Sequence, residues 1–144
     1  MFINPRRKSV SASLQQAHQE LYAALNDMLA GNADPILAVW SKSDDISYGG
    51  PFGEFAHGRP AVTEIFQEVA QRNLQGEIVV TDVTTVEGSD LGYTTCIELG
   101  NNHFIDGEIV SIKHRATNIF RKEDDGWHLV HHHTDSSATS QPTL

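Results

Sequence analysis

From Leu14 to Met28 apolar residues recur at intervals of three and four: Leu14, Ala17, Leu21, Leu25 and Met28. That spacing puts them on one stripe of a helix facing a partner surface. Ser13 and Gln16 have capping-box spacing at its start, and Gly31 ends it, since glycine enters a left-handed cap without steric penalty. Asp34-Pro35 restarts the helix, with Asp34 as N-cap and Pro35 at the first helical position. Ile36, Leu37, Val39 and Trp40 make this second helix apolar on most sides, which predicts a place between other elements. Two short extended pieces follow, Asp44 to Tyr48 and Glu54 to His57, around the loop Gly49-Gly50-Pro51-Phe52-Gly53. Gly58-Arg59-Pro60 opens a third helix whose buried face is Val62, Ile65, Phe66 and Val69.

After Gly76 the pattern turns to sheet. Ile78 to Val86 is dense in valine and threonine, and Tyr93 to Leu99 repeats that character beyond the turn Gly88-Ser89-Asp90. Asn101-Asn102 and Asp106-Gly107 bracket a further loop. Ile109 to Arg121 and Trp127 to Thr134 are the last two strands, joined by Glu123-Asp124-Asp125-Gly126, where Asp-Gly tolerates the positive φ of a tight reversal. If that loop closes the hairpin, Phe120 pairs near Leu129, Asn118 near His131 and Ala116 near His133. Asn118, His131 and His133 then face inward, while Thr117, Ile119, Val130 and His132 face out. A one-residue slip would exchange the two faces. The element order predicts an α+β fold, a curved antiparallel sheet covered by three N-terminal helices. Residues 13–135 form its single domain, between a flexible arm over 1–12 and a flexible tail over 136–144.

Composition narrows the function classes. A net charge of -9 in 144 residues argues against nucleic acid and anionic membrane surfaces, which need a positive field. No apolar run approaches the roughly 20 residues of a membrane-spanning helix. The N-terminal stretch has basic residues without an apolar segment after them, so it is not read as a secretory signal. Cys96 stands alone, which excludes an internal disulfide and fits a reducing, cytoplasmic setting. It reads as a small buried strand residue.

The segment Gly126-Trp127-His128-Leu129-Val130-His131-His132-His133 resembles the closing strand of SnoaL-like proteins and of the calcium/calmodulin-dependent protein kinase II association domain. Phe52 to Gly58 is a second match. Through them the chain resembles the nuclear transport factor 2-like superfamily from about Leu14 to Asp135. The resemblance implies a cone-shaped, cystatin-like roll with a cavity between the helices and the concave sheet face. It also implies pairing of chains through the sheet. Ketosteroid isomerases of this superfamily use an aspartate base and an oxyanion hole of tyrosine and protonated aspartate. Those carboxylate positions fall here near Gly50 and Ala116. The pocket arginines of the kinase association domains fall near Glu98 and Asn118.

Alternation selects the candidate site residues. His131, Tyr48 and His57 are the candidate acid–base groups. Trp40, Tyr48, His57, Glu98, Asn118, Phe120, His131 and His133 are the candidate ligand contacts, with His103 as a further neighbour. Trp40 and Trp127 also read as ordinary core residues. His131 and His133, two residues apart on one strand face, lie about 7 Å apart, so a third ligand such as Asp135 or His103 would complete a metal site. The spacing requires no such ligand, and neither a metal nor a cofactor is expected. Two functions stay open: a homodimer that binds a small, partly apolar molecule in its cone, and an isomerase or cyclase using histidine and tyrosine as acid–base groups. Pairing is expected on the outer face of the long strands, and a larger ring stays open.

Overall fold

Ser13 Oγ accepts the amide hydrogen of Gln16 at 3.2 Å, and α1 (Leu14–Leu29) starts there. This computed structural model describes residues 12–137, so all but the last residue of the arm expected over 1–12, and the part of the tail expected over 136–144 that follows Ser137, lie outside the described residues. α2 (Asp34–Val39), β1 (Ser47–Gly49), β2 (Phe55–His57) and α3 (Arg59–Arg72) follow, then β3 (Glu77–Glu87), β4 (Leu91–Ile105), β5 (Glu108–Glu123) and β6 (Gly126–Ser136). The six strands form one sheet in the order β2-β1-β6-β5-β4-β3, antiparallel except that β1 runs parallel to β6. The α+β class and the three N-terminal helices are as the sequence predicts.

The whole α1 stripe, from Leu14 through Ala17, Leu21 and Leu25 to Met28, is buried. Each fully buried leucine contributes roughly 2–3 kcal/mol relative to an exposed one. Asn26 fixes where α1 meets the sheet: its side-chain amide donates to Ile78 O at 3.1 Å and accepts from Ile78 N at 2.7 Å. Arg59 locks α2 to α3. Its guanidinium donates to the carbonyls of Leu37, Trp40 and Ser41 at 2.9–3.2 Å, satisfying acceptors that a helix end leaves open. Asp44 Oδ1 accepts Arg59 N at 3.0 Å, so the Asp44-Asp45 loop caps α3. Trp40, Ile36, Ile46, Phe66, Phe120, Leu129 and Trp127 complete the core.

Several expectations are corrected. Asp34 is the first helical residue and Ala33 the N-cap, because Asn32 Oδ1 already accepts Asp34 N at 3.1 Å. The loop expected between Asn101 and Gly107 is mostly strand: β4 continues to Ile105 through a register shift between Gly100 and His103, where Asn102 takes φ 61. β6 also reaches Ser136, paired with His114, past the strand end expected at Thr134.

The largest correction concerns the β5–β6 register. Phe120 does pair with Leu129, but the next pair is Ile119 with His131. Val130 is the extra residue of a β-bulge, and beyond it every partner moves by one. Asn118 pairs with His132 and Ala116 with Thr134. His131 and His133 therefore lie on the outer face with Ile119 and Thr117, and His132 is buried on the inner one.

Candidate functional site

A cavity of about 110 Å3 opens between α1, α3, the loop after β1 and the inner sheet face. One water needs roughly 10–15 Å3, so the space suits a small organic molecule. Leu25, Met28, Leu29, Phe66, Val69, Ile78, Ile105 and Ile112 make its walls apolar, with Pro51, Phe52, Glu54 and Arg72 among its lining residues. Its polar groups from the sheet are Glu98, His103, His114, His132 and Thr134, and Tyr48 comes from β1.

The strand pattern places these groups. On β4, residues alternate so that Thr94, Cys96, Glu98 and Gly100 are buried while Thr95, Ile97 and Leu99 are partly exposed. Glu98 faces His114 across the β4–β5 pair, and His132 lies one strand further, opposite Asn118. Glu98 is 5% exposed, yet ringed by polar groups. Tyr22 Oη donates to its Oε2 at 2.8 Å. His114 Nδ1 stands 3.7 Å from Oε1 and His132 Nε2 3.8 Å from Oε2. Asn118 Oδ1 bonds His132 Nδ1, while Asn118 Nδ2 donates to Tyr22 Oη at 3.1 Å and to Thr94 Oγ1 at 3.2 Å. His18 Nδ1 reaches Thr94 Oγ1 at 2.9 Å and extends the network onto α1.

Burial works to raise the Glu98 pKa, but His114, the charge of His132 and the Tyr22 hydroxyl together hold it below the ordinary glutamate value. Burial lowers the His132 pKa, more than the Glu98 carboxylate raises it, so the ring is neutral at pH 7. Burial also raises the Tyr48 phenol, helped by the carboxylates of Glu54 and Glu98, so Tyr48 keeps its proton. The Cys96 thiol is pushed up to about 11, chiefly by burial, and is no nucleophile at neutral pH. An ionised carboxylate, a neutral imidazole and a protonated phenol beside one apolar cavity can take up and return a proton.

The sequence-selected residues divide. Tyr48, Glu98 and His103 line this cavity. Asn118 is fully buried behind it and reaches it through His132. Phe120 and Trp40 are fully buried in the core and do not line the cavity. His57 is exposed on β2. His131 and His133 face outward, where His131 Nδ1 bonds Ser47 Oγ at 2.7 Å. Their rings lie 6.1 Å apart, but Asp135 is engaged by Arg115 at 2.6–2.8 Å and His103 is on the opposite face. His114, His132, Thr134 and Tyr22 went unselected. For Tyr22 a signal existed: His18 and Tyr22, four residues apart, sit beside the apolar stripe of α1, and both are buried.

Among the described residues Glu123, Asp125 and His128 form the one group with metal-ligand spacing, their ligand atoms within 4.8 Å of one another. Glu123 Oε2 there already accepts from Ser41 Oγ at 2.7 Å and from Arg121 at 2.9 Å. The Arg121 guanidinium already supplies positive charge to this carboxylate.

The family profile described as SnoaL-like domain matches residues 14–139. Among solved structures the chain is similar to a candidate calcium/calmodulin-dependent protein kinase type II association domain from Thiobacillus denitrificans, 25% identical with a TM-score of 0.75, covering 90% of this chain and 98% of that one. It is similar to a candidate dehydratase of the nuclear transport factor 2-like family from Streptomyces avermitilis, 24% identical with a TM-score of 0.74, over 88% and 94% of the two chains. A ketosteroid isomerase-like protein from Erwinia carotovora atroseptica follows at 16% identity and a TM-score of 0.69, over 94% and 99%. No curated protein matches the chain.

Proposed function

The chain belongs to the SnoaL-like domain family, and from that premise we propose that it is an acid–base enzyme acting on a small, partly apolar carbonyl or hydroxy compound. The observation that carries this reading is Glu98, a carboxylate buried between two imidazoles beside a cavity whose walls are largely apolar. Burying a charge costs several kcal/mol even after relaxation, and sites of chemistry are where such groups are kept. Here the neighbours of Glu98 are groups that handle protons.

The chemistry follows from the geometry. His132 Nε2 takes a proton from the carbon next to the substrate carbonyl, and Glu98 stabilises the imidazolium that results. The Tyr48 phenol donates a hydrogen bond to the carbonyl oxygen as it gains charge. Returning the proton to a different carbon completes an isomerisation; expulsion of a β-hydroxyl, protonated as it leaves, completes a dehydration. The names of the Streptomyces avermitilis and Erwinia carotovora atroseptica structures fall in the same two reaction classes.

Two chains pair, in this reading, through the outer sheet face. Tyr93 is 43% exposed there, in register with Ile119 and His131, beside Thr95, Thr117 and Ile97. A stable pair buries about 800 Å2 per partner, which these long strands can supply.

Proton exchange tests the enzyme reading directly. A panel of cyclic ketones, enones and β-hydroxy ketones is incubated with the protein in D2O and followed by proton NMR. The wild type is expected to exchange the hydrogen next to the carbonyl, and Glu98→Gln to lose about 10²–10⁴-fold of the rate. Binding of a panel member in the cavity without exchange at any carbon would leave a ligand-carrying module instead.

A further inference from the structure

Tyr22 is absent from the cavity lining, yet its single hydroxyl proton has consequences inside it. An ionised carboxylate can only accept, so the contact of 2.8 Å to Glu98 Oε2 consumes the Tyr22 proton. Whatever else approaches the Tyr22 oxygen must donate to it. One neighbour is Cys96 Sγ at 3.2 Å, a thiol able to donate. The other is the Asn118 side-chain amide at 3.1 Å, which must therefore present its Nδ2. The planar amide then turns Oδ1 the opposite way, onto His132 Nδ1. An amide oxygen only accepts, so Nδ1 is the donor of this hydrogen bond and carries the imidazole proton. A neutral ring has only one, and Nε2 is left bare, 3.8 Å from Glu98 Oε2.

We infer that Tyr22 is a positioning residue that sets the tautomer of His132 through the Asn118 amide. This rests on the acid–base reading for its catalytic meaning and on the hydrogen-bond geometry alone for its physical content. Without the relay the other tautomer is the better partner for Glu98, because an Nε2 proton would point at the carboxylate. That arrangement is a hydrogen bond from a neutral ring to the carboxylate, and it removes the Nε2 lone pair a base at this position requires. By holding the proton on Nδ1, the relay keeps the basic nitrogen directed at Glu98 and the cavity. Thr94 Oγ1, the second acceptor of the Asn118 amide at 3.2 Å, is also held by His18 and offers no such direction. A threonine hydroxyl accepts or donates equally well.

Nitrogen-15 NMR of histidine-labelled protein reads the tautomer, with His132→Gln supplying the assignment. In the wild type, His132 is expected to show a protonated Nδ1 and a bare Nε2. Tyr22→Phe should free the amide to rotate and give a mixture, or an Nε2–H ring, while the rest of the spectrum stays dispersed as for a folded chain. Thr94→Val should leave the His132 tautomer as it is. In turnover, Tyr22→Phe should lower kcat in proportion to the lost Nδ1–H population with KM unchanged. An Nε2–H ring in the wild type, an unaltered Nδ1–H ring in folded Tyr22→Phe, or an equal shift in Thr94→Val would each overturn the relay. A tautomer shift without any change in kcat would count against the reaction assigned to His132 and leave the relay standing.

Discussion

Tyr48 lies almost parallel to His132, with ring centroids 5.8 Å apart and planes 15° from each other. The stack exists because β1 runs parallel beside β6 with Tyr48 in register with His132. Phe66 of α3 meets the other ring, Tyr48, edge-on at 5.0 Å, so a helix steadies the imidazole through the phenol.

Two substitutions at Tyr48 separate packing from chemistry. Tyr48→Phe keeps both ring contacts and should alter stability by about 1 kcal/mol or less, while turnover falls roughly 10²-fold with loss of the donor. Tyr48→Ala should cost about 3–5 kcal/mol in chemical denaturation, as the removal of a large buried ring does.

Stability should rise with pH between mildly acidic and neutral conditions. Burial lowers the pKa values of His18, His131 and His132 below 6.5. The unfolded chain then binds more protons than the folded one as pH falls through 6.5, and stability is lost until the folded values are reached. Glu98 acts lower down: its depressed pKa supplies stability present above 4.5 and lost as pH falls through the folded value. Thermal denaturation from pH 8 to pH 4 checks both. His132→Gln should flatten the upper part of the curve and Glu98→Gln the lower part.

Gly100 has no room for a side chain. A Cβ there would stand 2.3 Å from His103 Nε2 and 2.6 Å from Ile112 Cγ1. Gly100→Ala should therefore destabilise by about 1–3 kcal/mol. In the double variant Gly100→Ala/His103→Ala the two effects should fall short of their sum, since the clash with the ring is gone. Urea denaturation of the four proteins measures the coupling.

Ile119→Asp puts a charge in the middle of the outer face, opposite His131 and Tyr93. Sedimentation velocity should show the wild type as a dimer and this variant as a folded monomer. A monomeric wild type at micromolar concentration would remove the proposed pairing.

Most of the scaffold was legible because its signals are periodic. The α1 stripe, the Gly58-Arg59-Pro60 helix start and the Glu123–Gly126 reversal each appear where a local rule places them. The Val130 bulge has no such rule. Three histidines in a row carry no alternation of polarity, so nothing within the strand says which of them is buried. Glu98 was selected but its setting was not, since Tyr22, His114 and His132 come from three different elements. On β4 the bulkier apolar residues Ile97 and Leu99 turn away from the inner face while Thr94 and Glu98 turn toward it. That inversion of the usual inside-out order marks a sheet whose inner face borders a cavity.

The run His131-His132-His133 has a consequence for how this chain can change. Losing or gaining one residue before it, in the 126–130 stretch, would rotate the strand by one position and exchange its two surfaces. Whichever way the ribbon turned, an imidazole would still arrive at the carboxylate of Glu98. Small length changes that would remove a buried imidazole in most proteins would here merely choose another copy of it.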